Sequence, residues 1–146
     1  MKLSGPLGEL SFEMDHLGIA VESLEKGEMF YRAMGFGPMQ VEDAPSERVR
    51  VGFLRLQNQS NIELLEPTSP NSPIRKFLDK RGPGIHHVCL RVTDIDSALR
   101  RLKEQGVRLI DHEAKAGAHG CRVAFIHPSA AGGVLIELSQ PAKQAP

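Results

Sequence analysis

Neither sign of charge is in excess in this chain: 18 Lys and Arg face 18 Asp and Glu over 146 residues. Without a net field to gather oppositely charged polymers, nucleic acid and anionic membrane surfaces drop out as principal partners. No run approaches the roughly 20 apolar residues of a membrane-spanning helix. Met1 to Leu10 lacks the apolar stretch of a secretion signal. Cysteine is scarce as well. Cys89 and Cys121 lie inside strand-like runs and are too few for a disulfide framework, so they read as reduced core thiols. Together these features place the chain in the cytoplasm. What remains, 40% hydrophobic and 25% charged residues, is the balance of one globular domain over 1–146.

Two segments of the chain repeat each other. Asp15-His16-Leu17-Gly18-Ile19-Ala20-Val21 aligns with His86-His87-Val88-Cys89-Leu90-Arg91-Val92, placing His16 and His87 71 positions apart. Asn61 to Pro67 aligns with Leu135 to Pro141, placing Glu63 and Glu137 74 apart. Arg50-Val51-Gly52-Phe53-Leu54 matches Arg122-Val123-Ala124-Phe125-Ile126 at an offset of 72.

Local signals agree with the repeat. After a loose N-terminal stretch, Asp15–Val21 alternates like a strand. Ser23 caps a helix over Leu24–Met34 that Gly35 stops. The offset of 71 carries Gly35 to Gly106, which ends a second helix over Ile95–Gln105 capped by Asp94. Val49–Leu56 and Asn61–Glu66 are strands. In the second half Ile85–Val92, Val107–Ile110, Arg122–Ile126 and Val134–Ser139 play the same part. A linker rich in Pro and Ser, residues 67–73, leads to a short helix over Ile74–Lys80, with Pro73 at its first position. The fold class is therefore α+β: module 1 at about 14–67, the linker helix at about 72–81 and module 2 at about 85–140, each reading β-α-β-β-β. Units of this kind bury their apolar faces by packing on a twin.

The repeat also carries chemistry. His16, Glu63, His87 and Glu137 all project opposite the branched apolar residues of their strands. A carboxylate inside an apolar strand is costly unless its charge is compensated. Two such carboxylates with two imidazoles predict four ligands around one divalent cation. The set lacks thiolate and suits Co²⁺, placed first, or Mn²⁺, Ni²⁺, Fe²⁺ or Zn²⁺, with coordination positions open to substrate. His86 competes with His87, and the alignment favours His87. His112, His119 and His127 have no counterpart in the first half and read as surface or pocket residues.

These motifs resemble the vicinal oxygen chelate superfamily. Ser72-Pro73-Ile74-Arg75-Lys76-Phe77-Leu78, and the run from Gly117-Ala118-His119-Gly120 to Gly133-Val134-Leu135-Ile136-Glu137-Leu138, resemble its methylmalonyl-CoA epimerase branch. The resemblance spans about Met14 to Gln140. It implies a curved, cupped mixed sheet around the metal, with His16, Glu63, His87 and Glu137 as ligands, and a homodimer. It also implies epimerisation of an acyl-CoA at C2 through a metal-stabilised enolate. Similar enzymes carry an acid/base Glu before the second strand of module 1. Glu47 takes that place with a one-residue shift, and Ser46 without one. Glu137, or a group it orients, would serve the opposite face of C2. The loop Gly117, Ala118, His119, Gly120 reads either as a substrate-binding turn of backbone N–H groups or as a hairpin connection. Arg75, Lys76, Lys80 and Arg81 read either as a solvated face or as contacts to CoA phosphates. Rival expectations on the same scaffold are a glyoxalase I-like isomerase and a drug-sequestering protein; a ring-cleaving dioxygenase usually has two His and one Glu and a longer chain.

Overall fold

The structure, a computed structural model, describes residues 2–5 and 8–142, with side chains from residue 10 onward. The expected domain limits at 1 and 146 fall outside the described residues. The elements in chain order are β1 (Lys2–Gly5), β2 (Gly8–Ala20), α1 (Leu24–Met34), β3 (Gln40–Ala44), β4 (Val49–Arg55), β5 (Asn61–Pro67), α2 (Pro73–Arg81), β6 (Gly84–Val92), α3 (Ile95–Glu104), β7 (Lys115–Ala116), β8 (Arg122–Ile126) and β9 (Leu135–Gln140). This is an α+β chain, and both halves follow the β-α-β-β-β order. The chain divides into two units, His16–His86 and Met1–Asp15 with His87–Pro146.

In the unit His16–His86, the end of β2 runs parallel to β5, and β4 is antiparallel to both β5 and β3. Strand alternation sends Ile19, Val21, Ile62 and Leu64 to one face, where α1 covers them with Leu24 and Tyr31. Ala20 and Leu65 go to the other face, where α2 supplies Ile74, Phe77 and Leu78. In the second unit β6 runs parallel to β9, and β8 is antiparallel to β9 and β7. There α3 lays Ile95, Ala98 and Leu99 on Val92, Ala124, Ile126 and Leu138. Cys89 and Cys121 are not disulfide-bonded. Among the described residues no helix is long and apolar enough to cross a membrane.

The helix ends repeat in detail. Ser23 Oγ accepts the Lys26 N–H at 3.1 Å, and Asp94 Oδ1 accepts the Ser97 N–H at 3.1 Å. At the far ends Gly35 and Gly106 take left-handed φ of 109° and 73°, which glycine adopts without a Cβ penalty. The N–H groups of Gly35 and Phe36 return to Arg32 and Tyr31. Those of Gly106 and Val107 return to Lys103 and Leu102, the same two bonds 71 positions later. A second device repeats at the other offset. Glu66 Oε1 accepts the Leu24 N–H at 3.1 Å, and Gln140 Oε1 accepts the Ile95 N–H at 2.9 Å. In each half the last strand thus satisfies an orphan amide of its helix.

Two expectations are corrected. The stretch before Asp15 is not loose: β1 pairs antiparallel with β2 from Lys2↔Ser11 to Gly5↔Gly8. Leu10 is buried and Phe12 packs on the α3 core, so the alternation at Leu10, Phe12 and Met14 already belongs to a strand. Val107–Ile110 is not a strand either. Only Leu109 forms a bridge, to Ile126, and the edge strand is the two-residue β7. Short edges of this kind resist pairing with other chains.

The Asp94 cap generates a test. Hydrogen bonds from the Ser97 N–H and hydroxyl hold its carboxyl below the ordinary Asp value. Asp94→Ala should cost about 1 kcal/mol in denaturant unfolding near neutral pH. Because the folded pKa is depressed, the difference from wild type should persist above about pH 4 and close as pH falls through the lowered value. An equal gap at pH 7 and pH 2 would rule out the carboxylate as its source.

Candidate functional site

In the first unit the parallel register sets His16 beside Asn61 and Gly18 beside Glu63. His16 and Glu63 are therefore diagonal neighbours on one face, with Nδ1 and Oε2 3.0 Å apart. The second unit repeats the diagonal. His87 stands beside Leu135 and Cys89 beside Glu137, and His87 Nε2 lies 3.3 Å from Glu137 Oε1. Both imidazoles are buried, and each carboxylate is no more than 14% exposed. Sequence alternation explains the placement: Ile62 and Leu64, or Ile136 and Leu138, are held under a helix, so the Glu between them must face away from it.

Each pair is chemically self-consistent. As a hydrogen bond, a ring N–H donation compensates a desolvated carboxylate. The same spacing suits metal ligation, since two ligands about 2.1 Å from one ion and about 90° apart stand about 3 Å from each other. Asn61 adds a second indication. It shares the Glu63 face, and its Oδ1 is buried with no hydrogen-bond partner among the described residues, an acceptor suited to a donor such as bound water. Sequence reading passed over Asn61. Its position two residues before Glu63, opposite Leu135 in the repeat, was the available signal.

The other expected residues are distributed as follows. His86 sits edge-on to Phe77, with ring centroids 5.1 Å apart, so it is His87 that faces Glu137. Phe125 pairs across the sheet with Glu137 and meets the His87 ring edge-on at 6.4 Å; Phe53 pairs with Glu63 in the same way. Glu47 ends the exposed turn Pro45–Glu47, just before Arg48 at a left-handed φ of 56°. Val49 pairs with Pro67 while Glu63 pairs with Phe53. Four residue steps along β4, about 13 Å of strand, thus lead from the Glu63 row back to Val49, and Glu47 precedes Val49 by two positions.

Gly117, Ala118, His119 and Gly120 form a turn partly closed on itself. The Gly117 N–H donates to Cys121 O at 2.8 Å and the Cys121 N–H to Ala118 O at 3.1 Å. His119 and Gly120 are both left-handed, with φ of 57° and 75°. His127 Nδ1 accepts the Ser129 N–H at 3.0 Å, capping a surface turn. On α2, Arg75 is committed to Glu22 through two 3.0 Å hydrogen bonds and to Asp79 through a third, and these anions raise its pKa further. The Arg81 guanidinium stands 5.8 Å from the Phe77 ring centroid. Lys76 and Lys80 remain on the exposed face.

Residues 15–125 match the family model described as the glyoxalase/bleomycin resistance protein/dioxygenase superfamily. A mitochondrial methylmalonyl-CoA epimerase of Bos taurus is 42% identical over 139 residues, 94% of this chain and 78% of the relative. An ethylmalonyl-CoA/methylmalonyl-CoA epimerase of Cereibacter sphaeroides is 44% identical over 130 residues, 87% of this chain and 96% of the relative. Among solved structures, a variant of Streptomyces coelicolor methylmalonyl-CoA epimerase in complex with 2-nitronate-propionyl-CoA superposes with a TM-score of 0.82 at 35% identity, covering 92% of this chain and 98% of that one. On these matches the chain belongs to the methylmalonyl-CoA epimerase family of that superfamily, a family of isomerases.

Proposed function

We propose that the chain epimerises methylmalonyl-CoA at C2, with His16, Glu63, His87 and Glu137 as ligands of one divalent ion. The observation that carries this reading is the recurrence of one buried His–Glu diagonal in each unit. The donor set of two imidazole nitrogens and two carboxylate oxygens suits Co²⁺ first in our reading, then Mn²⁺, Ni²⁺, Zn²⁺ or Fe²⁺. When bound, such an ion supplies positive charge to the substrate's thioester and carboxylate oxygens, where the negative charge of a deprotonated C2 develops.

The protein's own groups must then move the proton. Inversion of a stereocentre by proton transfer needs a group on each face of the planar carbanion. Glu47 is assigned to one face, and its turn leaves the carboxylate accessible. Glu137, or a group it orients, is assigned to the other. Glu47 stands two residues before the start of β4, so in this scheme it acts on a substrate that extends away from the Glu63 row. The turn at Gly117, Ala118, His119 and Gly120 is assigned to substrate binding. The ligand named with the Streptomyces coelicolor relative supports the scheme, because a nitronate at C2 is a planar anion with the shape of a deprotonated C2. We also read the protein as a cytoplasmic homodimer, on the family resemblance and the reduced cysteines.

In deuterated buffer, methylmalonyl-CoA should gain deuterium at C2 during turnover, and prior dialysis against a chelator should stop both exchange and epimerisation. Exchange that is absent while epimerisation proceeds would exclude the proton-transfer scheme. Glu47→Gln should lower kcat by about 10²–10⁴-fold with metal content unchanged. Retained turnover in that variant would remove Glu47 from the mechanism and reopen Ser46.

A further inference from the structure

The face of the second unit that carries His87 and Glu137 also carries a cation with no role in the scheme above. β7 pairs Lys115 with Val123, and β8 pairs Val123 with Ser139 and Phe125 with Glu137. Cross-strand partners share a face, so Lys115, Val123, Phe125, Glu137 and His87 line one side of the sheet. The apolar residues under α3 line the other.

Lys115 is held in place, unlike a typical surface lysine. Its ammonium stands 5.2 Å from the centroid of the Phe125 ring and 3.3 Å from Asp111 Oδ1. Asp111 is itself fixed, because its other oxygen accepts the Phe125 N–H at 2.8 Å. Phe125 in turn contacts the His87 ring. Among the described residues one of the three ammonium donors meets Asp111, which leaves two for an incoming acceptor. The side chain is 53% exposed, so a ligand can reach it.

The repeat supplies a control. Val51 matches Val123, and Val51 pairs with Glu42. A carboxylate thus occupies in the first module the register position that an ammonium occupies in the second. Charge of either sign would protect a sheet edge from pairing with other chains. Edge protection therefore explains a charge at both positions, and leaves the opposite signs to be explained by what each module meets.

We propose that Lys115 is a substrate-binding, specificity-determining residue whose ammonium takes an anionic oxygen of the acyl-CoA beside the His87–Glu137 pair. Two groups of that substrate offer such an oxygen, the carboxylate on C2 and the CoA phosphates. The inference rests on the proposed acyl-CoA chemistry. Lys115→Met keeps the alkyl stem on Phe125 and removes only the charge, while Lys115→Arg retains it.

Dissociation constants for methylmalonyl-CoA, propionyl-CoA and the phosphate-free methylmalonyl-pantetheine thioester, measured by calorimetry alongside kcat and KM, form the test. Lys115→Met should weaken methylmalonyl-CoA by about 10–100-fold, the size of a lost charge-assisted hydrogen bond. KM should rise more than kcat falls, Lys115→Arg should restore most of the affinity, and the melting temperature should hold. Loss shared with the pantetheine thioester but not propionyl-CoA assigns the carboxylate. Loss shared with propionyl-CoA but not the pantetheine thioester assigns the phosphates. Affinities that stay within about twofold of wild type for all three ligands, or an Arg variant as weak as the Met variant, would overturn the proposal. Wild-type protein that binds none of the three would instead refute the acyl-CoA reading itself.

Discussion

A carboxylate placed inside an apolar strand must be answered by a partner, and in both units the answer is an imidazole one diagonal away. His16–Glu63 and His87–Glu137 depend on the parallel registers of β2 with β5 and β6 with β9. The same registers send Ile62 and Leu64 under α1, and Ile136 and Leu138 under α3. A slip of one residue would turn each Glu into a helix-covered core and expose its apolar neighbours. Core and site therefore specify one another. Any change that moves the strand costs packing and pairing together.

The two halves agree where folding demands it and differ where a ligand would. Ser23 and Asp94, Gly35 and Gly106, and Glu66 and Gln140 occupy equivalent places and perform equivalent local tasks. Capping and chain reversal face the same physical problem in both copies. Asn61 against Leu135 and Glu42 against Lys115 break the symmetry on the face that bears the His–Glu pairs. Under the proposed function, in which one ion and one substrate serve both halves, such differences orient the substrate.

Much of this was legible in the chain. Period-2 alternation and the caps indicated most of the elements, though not β3 or β7, and the recurrence of His and Glu singled out the four residues that form the two pairs. Other features resist sequence reading for physical reasons. The strand at Leu10–Met14 was masked by the Gly- and Pro-containing stretch before it. Val107–Ile110 carries strand-forming residues, yet the chain makes a single bridge there because a left-handed glycine has just turned it. Glu47 lies in a turn outside the repeated strands, so the offsets of the repeat do not place it. Commitment of Arg75 to Glu22, 53 positions away, is a tertiary fact with no local signal.

The central claim is that the two His–Glu diagonals serve a single ion, and metal stoichiometry tests it most directly. Elemental analysis and equilibrium titration of the wild type, His16→Ala and His87→Ala should find one divalent ion per chain, weakened by either substitution alone. Two ions per chain, each sensitive only to its own histidine, would contradict the account, as would a wild-type chain that binds none.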